Sequence, residues 1–273
     1  MVVSFHPCFV GDVNRLCAGR DPGPEDRAAI RAADSVILPQ GCQRPLYEMA
    51  RRHGRRVFPS YDARFAYPGK TGQIRLFRRF EVAHPESLLF SDVQECLAAF
   101  ARRPPMAFPL VFKFDWGGEG AGVFRFDQPD AFFRSLAARC AEAPSPCLVQ
   151  TFVPGGRRTL RVVVIGQSIR SYWRTAPASG AFHANLARGG VIDAGSAPNL
   201  QAAGRSAVQE FCKKCGIDLA GFDLVFSDGP SQKTPLFLEI NYTFGRRGLG
   251  GSERFYRLLE EQIRIWLAEG GRR

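Results

Sequence analysis

Apolar and polar positions divide this chain into short strands and amphipathic helices. Residues 35–39 form an apolar run, 45–53 show helical spacing, and 57–59 form a second apolar run. Strand–helix–strand alternation of this kind predicts a parallel α/β sheet. Residues 61–85 are rich in Tyr, Pro and Gly and read as a connecting region, with Pro68-Gly69-Lys70-Thr71-Gly72-Gln73 conspicuous inside it. Residues 91–102 predict a helix capped by Ser91 or Asp92. An apolar strand over 109–114 runs into a glycine loop and out again at 122–126, a hairpin with a mobile tip. A helix over 129–141 and a strand over 147–153 follow. Pro154-Gly155-Gly156 then breaks the pattern and marks a boundary between lobes.

The remaining third is richer in strands. Residues 160–165 and 168–174 predict a hairpin turning at Gly166-Gln167. An amphipathic helix covers 200–215, and apolar strands over 221–226 and 236–241 pair across a polar loop. A helix over 253–268 closes the pattern. Three units are expected, over 1–84, 85–154 and 155–273.

The chain has 273 residues, 45% of them hydrophobic, enough for a large core. No apolar run is long enough to span a bilayer. Residues 1–7 lack the basic segment and apolar stretch of a secretory leader. The expectation is a cytoplasmic protein with no membrane partner. The formal net charge of +11 favours an anionic partner, either a phosphorylated small molecule or nucleic acid. Arginines cluster at Arg51-Arg52 and Arg55-Arg56, at Arg157-Arg158, and at Arg246-Arg247. A solvated basic face explains the 51–56 cluster equally well, and no aromatic residues interleave it as a single-strand platform requires. Eight cysteines in so long a chain do not form a disulfide scaffold. Only Cys212 and Cys215 have Cys-x-x-Cys spacing, and reduced structural thiols are expected throughout.

Three segments carry candidate chemistry. Lys113 precedes Gly117-Gly118-Glu119-Gly120-Ala121-Gly122. Glycines let backbone amides approach phosphate oxygens, and the lysine adds a positive charge. No Gly-Lys-Ser/Thr ends the loop, and a strand rather than a helix follows, so it is not a Walker A motif. Asp223 interrupts an apolar strand, while Glu239 and Asn241 share one face of the next, because strand side chains alternate. Oxygen donors on neighbouring strands suit a hard cation that retains phosphate and water ligands. Arg161 and Arg174 lie on facing strands of one hairpin, and Asn185 precedes Arg188-Gly189-Gly190. Arginine forks onto phosphate or carboxylate.

These stretches resemble the ATP-grasp superfamily, and within it the RimK-like carboxylate–amine ligases, which share a glutathione synthetase-like ATP-binding fold. The likeness covers roughly residues 68–251 through VFKFDWGGEGAGVF, LVQTFV, FHANLARGG, GFDLVF and FLEIN, in that order. It implies an N-terminal α/β pre-ATP-grasp unit followed by two α+β lobes that grip ATP. By that resemblance Lys70 and Lys113 contact the phosphates or adenine. Gly117, Gly118, Glu119, Gly120 and Gly122 close over the phosphates, and Gln150, Thr151, Phe152 and Val153 line the hinge beside adenine. Asp223, Glu239 and Asn241 hold magnesium, with manganese the alternative, and Asn185 lies beside the phosphates. Arg174, Arg161 and Arg188 supply positive charge for catalysis.

The implied reaction joins an unidentified carboxylate to an unidentified amine through an acylphosphate, releasing ADP and phosphate. The sequence departs from the family where Thr151 and Thr159 replace acids, where His183 replaces an arginine, and over 242–251. Those positions bear on the ribose contacts and the acceptor substrate. Two further readings stay open: an ATP-binding regulatory protein without turnover, and an arginine-rich nucleic-acid-associated protein.

Overall fold

The computed structural model describes residues 1–117, 122–139, 145–154, 158–176, 190–227 and 233–270. Its first sheet contains β1 (Val2–Ser4), β2 (Val13–Asn14), β3 (Ser35–Ile37) and β4 (Val57–Phe58), all parallel in the order β2-β1-β3-β4. Helices α1 (Pro24–Ala32) and α2 (Arg44–His53) make its crossovers. Short apolar strands buried on both faces are what a parallel sheet requires. Three arginines of the basic cluster at the end of α2 have partners within the chain, two of them in exposed ion pairs. Arg51 pairs with Asp62 at 3.0 Å and Arg55 with Asp34 at 2.9 Å. Arg56 donates to the Trp266 carbonyl and lies 4.0 Å over its ring.

The connecting region expected over 61–85 is instead partly helical: α3 (Asp62–Ala66) and α4 (Gly69–Arg79) occupy it. The first residue of α4 is Gly69, at φ +70°, where a Cβ would lie 2.1 Å from the Asp115 carboxylate. That carboxylate accepts from the Thr71 backbone N–H at 2.6 Å. A distant side chain thus satisfies an N-terminal donor that no local cap serves. Helix α4 packs against strands of both following sheets.

The second sheet is antiparallel, β5 (Ser87–Phe90), β8 (Cys147–Thr151), β6 (Leu110–Phe114) and β7 (Val123–Phe126) in that spatial order. Helices α5 (Val93–Arg102) and α6 (Pro129–Ala137) cover one face through Phe100, Phe132 and Leu136, packed on Phe112, Phe114 and Val149. Asp92 caps α5 by accepting from the Glu95 backbone N–H at 2.8 Å.

The third sheet has five antiparallel strands. These are β11 (Val191–Asp193), β10 (Ser168–Thr175), β9 (Arg158–Ile165), β12 (Leu219–Phe226) and β13 (Pro235–Asn241), in the order β11-β10-β9-β12-β13. Helix α7 (Pro198–Cys215) buries one face over Leu160, Val162, Phe222 and Phe237. On the opposite face, α8 (Ser252–Gly270) covers Val163, Ile165 and Leu219. That leaves the rest of this face for polar residues. The seven described cysteines are free thiols, as expected. Burial pushes Cys215 up to about 11, against a reactive role for the Cys-x-x-Cys pair. Among the described residues no helix is long and apolar enough to cross a membrane.

Candidate functional site

The open face of the third sheet carries a row of charges set by strand register. Arg161 on β9 lies opposite Asp223 on β12, which lies opposite Glu239 on β13. Two register positions along, and so on the same face, Gly221 lies opposite Asn241, and on the hairpin Thr159 lies opposite Arg174. Gly221 leaves room for the arginine: a Cβ there would stand 2.9 Å from Arg161 Nη1. The register shifts between Asp223 and Leu224, so the ladder is irregular directly beside the acidic row.

Asp223 is the hub. Its Oδ1 accepts from Arg161 Nε at 2.6 Å, and its Oδ2 from Arg161 Nη2 at 3.1 Å. Arg174 Nη2 lies 2.6 Å from Oδ1, and Asn241 Nδ2 donates to Oδ2 at 3.2 Å. Burial alone would raise this carboxyl's pKa. The two guanidinium charges and their hydrogen bonds outweigh burial and hold it at about 2. Glu239 goes the other way. Burial raises it and the Asp223 charge raises it further, against Lys70, Lys113 and Arg161.

Those two lysines come from the other side. Lys113 on β6 donates from Nζ to Gln150 Oε1 at 2.7 Å, and Gln150 Nε2 donates to Ser87 Oγ at 2.9 Å. Lys70 on α4 donates to the carbonyls of Trp116 and Gly117 at 3.1 and 2.9 Å. Both lysines are buried, and among the described residues neither forms an ion pair with a carboxylate. Burial lowers Lys113 to about 8; the charges of Glu239 and Asp223 oppose that shift and Lys70 adds to it.

The residues singled out from the sequence therefore separate into four groups. Arg161, Arg174, Asp223, Glu239 and Asn241 converge, and Lys70 and Lys113 couple electrostatically to Glu239. Gln150 lies deep in the second sheet with both ends of its amide engaged. Thr151 and Phe152 are tied through backbone N–H groups to Glu86 and Pro109, and Val153 follows half-buried. Gly117 and Gly122, at φ +89° and +77°, flank the glycine loop. Gly118, Glu119, Gly120, Asn185 and Arg188 lie outside the described residues, as does the expected mobile tip.

Sequence reasoning missed Gln73. Its Oε1 accepts from the Ile240 N–H at 2.8 Å and its Nε2 donates to the Ile240 carbonyl at 2.9 Å. Strand β13 is the edge of its sheet, and the Gln73 amide satisfies the edge as another strand would. This fixes the residue between Glu239 and Asn241. Its only sequence signal was the conspicuous 68–73 segment.

Among the described residues no cluster of three His, Cys, Asp or Glu side chains could hold a metal. The donor chemistry here is different: two carboxylates and one amide oxygen on adjoining strands. Such a hard, incomplete oxygen set fits a divalent cation that keeps phosphate and water ligands.

Residues 69–256 match the family described as "RimK-like ATP-grasp domain". A probable alpha-L-glutamate ligase of Xanthomonas campestris is 32% identical over 163 residues, covering 59% of this chain and 51% of that protein. A protein of the same name from Parasynechococcus marenigrum is 29% identical over 142 residues, covering 52% of this chain and 29% of its own. The chain thus spans about half the length of the Xanthomonas relative. Among solved structures, a RimK domain ATP-grasp protein of Sphaerobacter thermophilus superposes with TM-score 0.65 at 15% identity, covering 96% of this chain and 98% of that one. The D-alanine–D-alanine ligase of Bacillus anthracis gives TM-score 0.64 at 14% identity, covering 95% and 86%. At these identities the structural likeness speaks for the fold.

Proposed function

Because this chain belongs to the RimK-like ATP-grasp domain family, we propose that it is an ATP-dependent ligase. It joins a carboxylate to an amine through an acylphosphate and releases ADP and phosphate. The observation that carries the reading is the meeting of two kinds of charge. A row of two carboxylates and an amide, Asp223, Glu239 and Asn241, lies within electrostatic reach of two buried lysines held by neutral partners. Polyphosphate and a divalent cation together satisfy both sides.

Asp223, Glu239 and Asn241 would hold magnesium, with manganese the alternative. Bound there, the ion would neutralise charge on the phosphate oxygens. Lys70 and Lys113 bind and orient the phosphates, exchanging neutral partners for charged ones. Gly117 and Gly122 flank the loop proposed to cover them. Phe152 and Val153 lie where the second sheet's last strand ends, a suitable edge for adenine. Arg174 and Arg161 face the position where phosphoryl charge develops, and fixed cations there act without reorganisation. The glutamate named in the relatives is the first candidate substrate.

The test is ADP release screened over amino acids and small carboxylates, with mass spectrometry of the product. The expected outcome is turnover with a defined pair and an amide of their summed mass less one water. Tight ATP binding with no turnover on any pair would overturn the ligase reading in favour of a regulatory nucleotide-binding protein.

A further inference from the structure

The arrangement around Asp223 poses a problem for any cation that binds there. A carboxylate offers about four lone-pair positions. Arg161 takes one on each oxygen, Arg174 takes a second on Oδ1, and Asn241 takes a second on Oδ2. Every acceptor position is filled. A cation can reach Asp223 only if one donor withdraws.

The two arginines are not equally held. Arg161 grips both oxygens as a fork, and its side chain is 6% exposed. Gly221 leaves the space its guanidinium fills. Arg174 reaches one oxygen through one nitrogen, and its side chain is 14% exposed. Among the described residues its other hydrogen bond, to the Thr159 hydroxyl opposite, is a long 3.3 Å one from the same nitrogen. Among the described residues its Nε is buried without a partner. A fork fixed by packing resists displacement, whereas a single contact from an under-satisfied guanidinium does not.

We infer that Arg174 is a displaceable counter-ion. It occupies the cation site of Asp223 while that site is empty and passes to the nucleotide's phosphate when a divalent cation takes its place. The inference rests on the metal reading above and adds an order to it. Among the described residues, Lys70, Lys113, Arg161 and Arg174 are set against two carboxylates, Asp223 and Glu239, an excess of positive charge before nucleotide arrives. A bare cation is repelled and must also evict Arg174. A polyphosphate reverses the local charge and gives the evicted guanidinium an acceptor. Cation and nucleotide therefore bind as one cooperative event, with Arg174 contributing to the coupling.

The experiment measures Mn²⁺ affinity by electron paramagnetic resonance, with and without a non-hydrolysable ATP analogue, in wild type, Arg174→Gln, Arg174→Ala and Glu239→Gln. Thermal unfolding verifies that each variant folds. Wild type should bind Mn²⁺ weakly alone and far more tightly with the analogue. Arg174→Gln and Arg174→Ala should bind Mn²⁺ alone on the order of tenfold more tightly, the scale of one charge-assisted hydrogen bond. Their gain from the analogue should shrink by a similar factor. Unchanged or weaker Mn²⁺ affinity in both folded Arg174 variants, with Glu239→Gln abolishing binding, would overturn the displacement and leave the metal site standing. Mn²⁺ binding that survives Glu239→Gln would overturn the metal reading itself.

Discussion

The cations of the two β-sheets that face each other across the site are satisfied in opposite ways. On the third sheet, Arg161 and Arg174 are already paired with a carboxylate. Beside the second sheet, Lys113 is held by an amide oxygen and Lys70 by two backbone carbonyls. Moving an arginine off Asp223 breaks a charge-assisted bond, so those charges are reserved until something replaces them. The lysines give up only neutral acceptors, so they are ready for an anion at once. On the function proposed above, the same formal charge would serve two tasks, binding on one sheet and conditional catalysis on the other. The partner decides which.

The sharpest way to break this comparison is at Glu239. It is the carboxylate that both lysines approach and that no described arginine pairs with. Glu239→Gln should abolish ADP formation while the protein still unfolds cooperatively, since its burial already disfavours the charged form. Normal turnover in that variant would remove Glu239 from the site.

Next in size is Arg174→Ala. If its charge counts mainly in the transition state, kcat should fall on the order of a hundredfold while the ATP dissociation constant changes much less. Both readings come from one steady-state and one equilibrium titration. An equal loss in both would place Arg174 with the lysines, and the division between sheets would collapse.

Lys113 sharpens the contrast through pH. Burial depresses its pKa to about 8 in the free protein, and on the proposed reading it is the protonated form that would bind phosphate. ATP affinity should therefore fall as pH rises through about 8, and Lys113→Met should bind roughly tenfold or more weakly at neutral pH without that step. Calorimetry between pH 6.5 and 9.5 would decide it. A step of the same size in the variant would assign the titration elsewhere.

How much of this was legible beforehand follows from the range of each interaction. Apolar runs bounded by Gly and Pro placed nine of the thirteen described strands, but not the short β1, β2, β5 and β11. Period-two alternation placed Glu239 beside Asn241, because that relation is local. Helix α4 was hidden because Gly69 and Gly72 read as breakers and its cap, Asp115, comes from another sheet. The sharing of Asp223 between two arginines depends on the register of β9, β10 and β12, which no local pattern encodes. Gln73 acts on a strand edge that exists only after the sheet has formed.

Gln73 also gives a stability prediction smaller than the catalytic ones. Gln73→Leu leaves the Ile240 N–H and carbonyl without their side-chain partner, a loss of about 1–3 kcal/mol. Chemical denaturation should show a lower midpoint with an unchanged slope. A midpoint equal to wild type would mean that water replaces the amide at no cost.

A separate effect, confined to the pH dependence of stability, is expected at Asp218. Burial raises its carboxyl to about 7, although it accepts from the Ser60 backbone N–H at 2.8 Å. Its folded pKa lies above the unfolded one, so its contribution is present in acid and lost as pH rises toward 7. Asp218→Asn keeps an acceptor for Ser60 and should flatten that part of the stability–pH curve. Equal slopes in both proteins would show that the group is solvated.

Helix α4 has a consequence for anyone who recombines this protein with a relative. Within five residues, Gly69 admits Asp115, Lys70 holds the chain at Trp116 and Gly117, and Gln73 sutures the edge strand that bears Glu239. A graft that begins at residue 85 takes both later sheets but leaves the stitching with the host. One that begins before Gly69 takes the stitching too. The transplantable unit is therefore longer than the two sheets it contains, and its first turn of helix is the part least safely exchanged.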